Sequence, residues 1–276
     1  MSLVISKVFT YDTDAGNYIQ AVEAADGQAL EPATRQAINN FVIGCKQDGI
    51  WNAIKASCIL SGARTLNGAL QPLVGTAPTN VGGNFVSGDY NRKTGLVGNG
   101  SSKSLRTGLL ANALSNTSHH LFFNGSNFLA SPASIQNYGG VYNGATLTSL
   151  LDIVTNTGSD GREIRSGTGG GAGAGSANIQ TGLITSGSIA GARVSSTDLR
   201  LFQNGVTAAT NTTSNTPSLP AIGFGVFARN NNGTQAEHCS AQFNFFSIGD
   251  GLNTTSMASL HARVTALITA FGVAIP

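Results

Sequence analysis

The 276-residue chain has 15 basic and 13 acidic residues for a net charge of +2, and only 10% of its residues are charged, against about 25% in an ordinary soluble domain. That balance, with no run of Lys or Arg, excludes an electrostatic footprint for nucleic acid, and a 41% hydrophobic share excludes a chain too polar to form a core. Glycine, at 36 residues, is nearly twice its usual share of about 7%. With abundant Asn, Ser and Thr it points to many short strands joined by turns that need φ > 0.

The first ten residues hold an apolar run too short, and broken by Lys7, to serve as a secretory leader. No unbroken run of the ~18–20 apolar residues needed to span a bilayer occurs, so no membrane insertion is expected. From Asp14 to Ala25, Tyr18, Ala21, Val22 and Ala25 recur at helical spacing, and Asp26-Gly27 stops the helix. Pro32 opens a second helix, in which Ile38, Phe41, Val42 and Cys45 share one face. After the Asp48-Gly49 turn, Ile50, Ala53, Ile54 and Ser57-Cys58 predict a third short helix. Trp51, the only tryptophan, is expected to hold these helices together with its indole N–H partnered or at an exposed edge; stacking on a sugar ring is its functional alternative. Cys45, Cys58 and Cys239 fit no zinc spacing and read as buried thiols of a reduced compartment, with a Cys45–Cys58 bond as the alternative. The Pro- and Gly-containing stretch from Leu70 to Asn84 reads as a linker.

Beyond Phe85 the period changes. Short apolar runs at Thr94–Val97, His120–Phe123, Leu147–Val154, Ile179–Ile184, Ala192–Val194, Leu199–Phe202, Ala221–Ala228 and Gln242–Ile248 alternate with Gly, Asn and Ser clusters. Leu199 and Leu201 are expected on one face of a strand, as are Phe243 and Phe245. Asn204-Gly205 is a strong hairpin signal. The pattern predicts a mainly β, antiparallel jelly-roll sandwich rather than a parallel α/β sheet. A closing helix follows, with Leu260, Val264, Leu267, Ile268 and Phe271 on one face. The chain thus divides into a helical attachment module (1–75), a linker (76–84), a sandwich (85–250) and a C-terminal helix (251–276).

Chemistry-bearing clusters are scarce. No two acids beyond residue 80 stand at i and i+2 of a predicted strand, as a carboxylate pair for glycoside cleavage would require; Asp160 and Glu163 flank Gly161 in an expected loop. His119 and His120 are neighbours on a strand, so they point to opposite faces and cannot share a metal. The run from Gly167 to Gly175 lacks the Gly-Lys-Ser/Thr of a phosphate loop and reads as a surface loop. No catalytic, cofactor-binding or metal site is expected. Tyr138 and Tyr142 are the better loop candidates for an aromatic platform beneath a sugar.

Leu199-Arg200-Leu201-Phe202-Gln203-Asn204-Gly205 resembles a hairpin of laminin G-like and concanavalin A-like lectin/glucanase sandwiches. Gly95-Leu96-Val97-Gly98-Asn99-Gly100-Ser101 is similar to their early strand, and Phe245 through Leu252 resembles their closing strand. The segments Ala21–Pro32 and Asp48-Gly49-Ile50-Trp51 through Ala63-Arg64-Thr65-Leu66 resemble structural or tail-fibre-like proteins of tailed phages, those of cyanobacteria first. The resemblance implies a non-enzymatic virion protein, assembled in the bacterial host cytoplasm, whose sandwich faces outward as a tail fibre or spike. A capsid decoration protein and a carbohydrate-binding module are the alternatives. Implied partners are other virion proteins, further copies of the chain in a homotrimer, and a host surface glycan; no cofactor is implied.

Overall fold

The computed structural model describes residues 10–144, 150–156, 161–167 and 175–275. Helices α1 (Thr13–Asp26) and α2 (Pro32–Gln47) follow the expected positions. The Asp12 side chain accepts a hydrogen bond from the Asp14 N–H at the start of α1, and Gly27 ends it in a left-handed conformation (φ 65°) open to glycine without strain. Leu66–Ala69 forms the single turn α3, and Thr254–Ala274 forms α4, capped by Asn253.

The strands are β1 (Ile54–Ile59), β2 (Thr79–Asn80), β3 (Tyr90–Asn91), β4 (Gly95–Val97), β5 (Leu105–Leu110), β6 (His119–Ser126), β7 (Gln136–Tyr142), β8 (Leu150–Thr155), β9 (Arg162–Ser166), β10 (Ser176–Ile179), β11 (Ser186–Ser195), β12 (Asp198–Gln203), β13 (Val206–Asn211), β14 (Gly223–Val226), β15 (Arg229–Asn231), β16 (Thr234–Ala236) and β17 (Gln242–Gly249). They form two sheets. Sheet A runs β13-β12-β11-β6-β17-β4-β3, with β1 also on β17; sheet B runs β10-β9-β8-β7-β14-β5-β2, with β15 on β7 and β16 on β15. All pairings are antiparallel except β15 on β7. The protein is a mainly β sandwich with a C-terminal helix, as the patterning predicts.

The expected third helix is not formed. Residues 51–53 make one 3₁₀ turn, and 54–59 are the strand β1, in register with Phe245 to Gly249. Short apolar runs such as this one fit either period. A strand partner from the far end of the chain decides between them. The segment 180–184 is likewise not strand: β10 ends at Ile179. Eight further strands, β2, β3, β5, β7, β9, β13, β15 and β16, lie outside the expected runs.

Between the sheets lies one apolar core. Leu121, Phe123, Leu151, Ile153, Ile164, Leu199, Leu201 and Phe243 are all fully buried in it. Phe243 is its aromatic centre: the rings of Phe123, Phe128, Tyr138 and Phe227 lie 4.3–6.2 Å away. Phe243 and Phe245 do not share a face. A register shift between them turns Phe245 to the outside of sheet A, where it meets Phe41 and Phe122 edge-on. There the helices lie across the sheet and form a second apolar cluster. Tyr18 and Val22 of α1, Phe41 and Val42 of α2, and Leu260, Val264 and Phe271 of α4 join Phe122, Phe202 and Phe245.

At 21 residues and a mean hydropathy of 1.3, α4 is long and apolar enough to cross a bilayer, unlike any segment expected from unbroken apolar runs. Its stripe Met257, Leu260, Val264, Leu267 and Phe271 is buried against the rest of the protein.

Candidate functional site on the outer face of sheet B

Sheet B carries an ionic row on its outer face. Asp152 of β8 stands in register with Arg165 of β9 on one side and Gly140 of β7 on the other; Gly140 in turn pairs with Arg229 of β15. A Cβ on Gly140 would lie 2.2 Å from the Asp152 Cβ. The missing side chain therefore leaves a gap through which Asp152 reaches Arg229 across an intervening strand. Arg165 grips Asp152 through Nε (2.8 Å) and Nη2, and Arg229 Nη1 lies 3.4 Å from the same carboxylate. The Asn137 amide also donates to Asp152, which is fully buried. Glu237 accepts from Arg229 Nη2 at 2.8 Å, and the Tyr142 ring centroid lies 5.1 Å from the Arg229 guanidinium.

The segment that brings Arg229 and Glu237 here is locally strained. The chain reverses after β14 at Phe227 (φ 67°), and Asn232 (φ 48°) and Glu237 (φ 55°) are also left-handed. These are three of the five described non-glycine residues with positive φ. Backbone strain of this kind costs of order 1–3 kcal/mol per residue and clusters where geometry is functional.

The patch is also incompletely satisfied. Ten buried side-chain polar atoms among the described residues have no hydrogen-bond partner, and six belong here: Asn137 Oδ1, Glu163 Oε1, Arg229 Nε, both amide atoms of Gln235, and Glu237 Oε2. Each such atom forfeits about 1–3 kcal/mol unless something else meets it, as the Arg165 charge, 3.8 Å away, does for Glu237 Oε2. Burial pushes the Glu163 carboxyl above its usual range, only partly offset by its polar neighbours. Burial alone would lower the Arg165 guanidinium, but the Asp152 charge more than reverses this, so it stays a cation. Two guanidiniums paired with the Asp152 and Glu237 carboxylates, an amide, a carboxyl inclined to hold its proton and one aromatic face make this a polar, hydrogen-bonding surface.

Among the residues singled out from the sequence, Tyr142 lies in this patch, and Glu163 lies here on a strand rather than in a loop; its neighbour Asp160 is outside the described residues. Tyr138 is no loop platform. It is fully buried in the core, its hydroxyl 2.7 Å from Thr155 Oγ1, and burial raises its pKa. His119 and His120 point to opposite faces as expected. The ring of His119 meets Ser166 between the sheets, and that of His120 meets Ser247. The three cysteines are buried and unbonded. Residues 168–174 of the glycine run lie outside the described residues. No group of three or more His, Cys, Asp or Glu placed to hold a metal occurs among the described residues. Asp152, Arg165, Arg229 and Glu237 were not anticipated. The one local signal was Glu163-Ile164-Arg165, where a charged-apolar-charged alternation marks a strand with a polar outer face.

No family model and no curated protein sequence matches the chain. Among solved structures, the Trypanosoma rangeli sialidase is similar at a TM-score of 0.50 and 10% identity, over 84% of this chain and 39% of that one. A Ruminococcus gnavus IT-sialidase CBM40 bound to α2,6 sialyllactose gives 0.42 at 14% identity, over 52% of this chain and 82% of that one. The NanB sialidase from Streptococcus pneumoniae (K499G mutant) gives 0.43 at 15%, over 59% and 27%. The first of these likenesses agrees with the fold, a mainly β sandwich.

Proposed function

We propose that the protein is a non-enzymatic recognition module whose sandwich binds an acidic saccharide through the outer face of sheet B, while the helix-covered side of sheet A turns toward the assembly that carries it. The observation that carries this reading is the concentration of unpartnered buried polar atoms around Arg165 and Arg229. A scaffold gains nothing from such atoms, and a polar ligand would meet this face through its half-buried members Tyr142, Gln235 and Glu237. Against catalysis stands the state of Asp152: its carboxylate is taken up by Arg165, Arg229 and Asn137, leaving it unable to serve as one of a pair of working carboxylates. The tail-fibre and phage resemblance of the sequence supports a virion surface as the carrier, a host glycan as the ligand and a trimer as the assembled form.

The test is calorimetric titration with uronate- and sialate-bearing oligosaccharides beside their neutral counterparts. Saturable binding of acidic sugars, weakened at least tenfold in Arg229→Gln, a loss of about 1.4 kcal/mol, is the expected result. Equal or absent response to both classes overturns the glycan reading. Light scattering tests the trimer separately, and a monodisperse monomer counts against it.

A further inference from the structure

A second site lies on the opposite side of the molecule, where α2 turns into β1. A cleft of about 390 Å³ is lined by Asp14, Lys46, Gly49, Trp51 and Asn52, a volume within the usual range of small-ligand sites, about 300–1,000 Å³. Trp51 packs against the helical cluster and is only half-buried. Its indole N–H has no acceptor among the described residues, and neither does the Asn52 side-chain amide have a partner there. Lys46 lies 5.7 Å from the centroid of the Trp51 ring, tethered by Asp12 and Asp14 at 2.7 and 2.6 Å. Gly49 (φ 72°) has open space where a side chain would stand, so nothing from that side crowds the cleft.

We infer that this cleft is a subsite for a neutral pyranose, independent of the patch on sheet B. An aromatic ring flanked by an unpaired N–H, an unpaired amide and a carboxylate matches a sugar's apolar C–H face and its ring of hydroxyls. The charges oppose other ligands. Asp12, Asp14 and Asp250 against Lys46 and Lys55 sum to −1, which disfavours an acidic sugar, and the Lys46 ammonium, 5.7 Å from the ring centroid, repels a second cation there.

Because Trp51 is the only tryptophan, its emission reports this cleft alone. The full chain is titrated with the methyl glycosides of glucose, galactose and mannose, with glucuronate and with choline, following tryptophan fluorescence and its protection from a neutral quencher. The expected result is a saturable change with at least one methyl glycoside and none with glucuronate or choline. Asn52→Ala, an exposed substitution, weakens it about tenfold, near the upper end for one lost hydrogen bond, and Arg229→Gln leaves it unaltered. No saturable change with any methyl glycoside, a response to choline or glucuronate, or equal binding by Asn52→Ala overturns the inference. Acidic-sugar binding on sheet B is read separately by calorimetry, so either site can fail while the other stands.

Discussion

The two sheets of this sandwich share one core but treat their outer faces in opposite ways. Sheet A hides its outer face under three helices: Phe122, Phe202 and Phe245 are covered by α1, α2 and α4 in an apolar cluster. Sheet B carries Asp152, Glu163, Arg165 and Arg229 on its outer face, all nearly as buried as the aromatics but polar and only partly paired. An apolar face gains stability simply by losing water. A polar face loses hydration and recovers it only as far as its partners are complete. Equal burial therefore stabilises on one side and leaves unmet interactions on the other, and recognition belongs where interactions remain unmet.

The sharpest break in the comparison comes at Asp152. Asp152→Ala leaves two buried guanidiniums without their shared carboxylate and is expected to cost about 3–5 kcal/mol, read as a shift of the urea midpoint. The double variant Asp152→Leu/Arg165→Met should recover part of that loss, because replacing both members of a buried pair is far milder than removing one. A double variant no more stable than the single one would refute the ionic account of this face. On the other side, Leu260→Ala leaves a cavity between α4 and the sheet and should cost about 2–4 kcal/mol. It should leave ligand binding at sheet B unaltered, and a loss of that binding would mean that the two faces are coupled.

Lowering the pH tests the two histidines together, His119 between the sheets and His120 on the helix-covered side. Burial pushes both rings down to about 4. Unfolded rings take up protons near 6.5 while the folded ones resist until about 4. In that window the unfolded chain binds more protons, so stability falls as pH drops through it, approaching roughly 1.4 kcal/mol per pH unit for each ring. Above pH 6.5 neither ring contributes. Denaturation midpoints that stay level from pH 6.5 to 4.5 would contradict the buried neutral state of both. The smallest effect is expected at the rim, where Glu31 at the start of α2 pairs with Arg92 (2.8 Å) and Arg64 (3.1 Å). The hydrogen bond from Arg92, against the opposing effect of burial, holds the Glu31 carboxyl down to about 2. Arg92→Ala should cost about 1 kcal/mol or less, since the pair is partly exposed, and less still at high salt.

Much of the architecture was legible along the chain because its cues are local. Pro32 and Gly27 bracket helices, Asn204-Gly205 makes the β12–β13 hairpin with both residues in positive φ, and Leu199 and Leu201 face the core together. The same local logic failed at residues 50–58, where the spacing of Ile50, Ala53 and Ile54 suits a helix but β17 claims residues 54–59 as a strand. It failed again at Phe245, because a one-residue register shift is invisible in alternation.

The sequence by itself determined the class of fold, the placement of its main helices and the opposed directions of His119 and His120, since these follow from periodicities of 3.6 and 2 and from turn residues. Only the tertiary structure decided the recognition face. Its members come from β7, β8, β9, β15, β16 and the residue after β16, and they meet because Gly140 leaves a gap between Asp152 and Arg229. Cross-strand neighbours are set by sheet pairing rather than by distance along the chain, so no local pattern could have announced them.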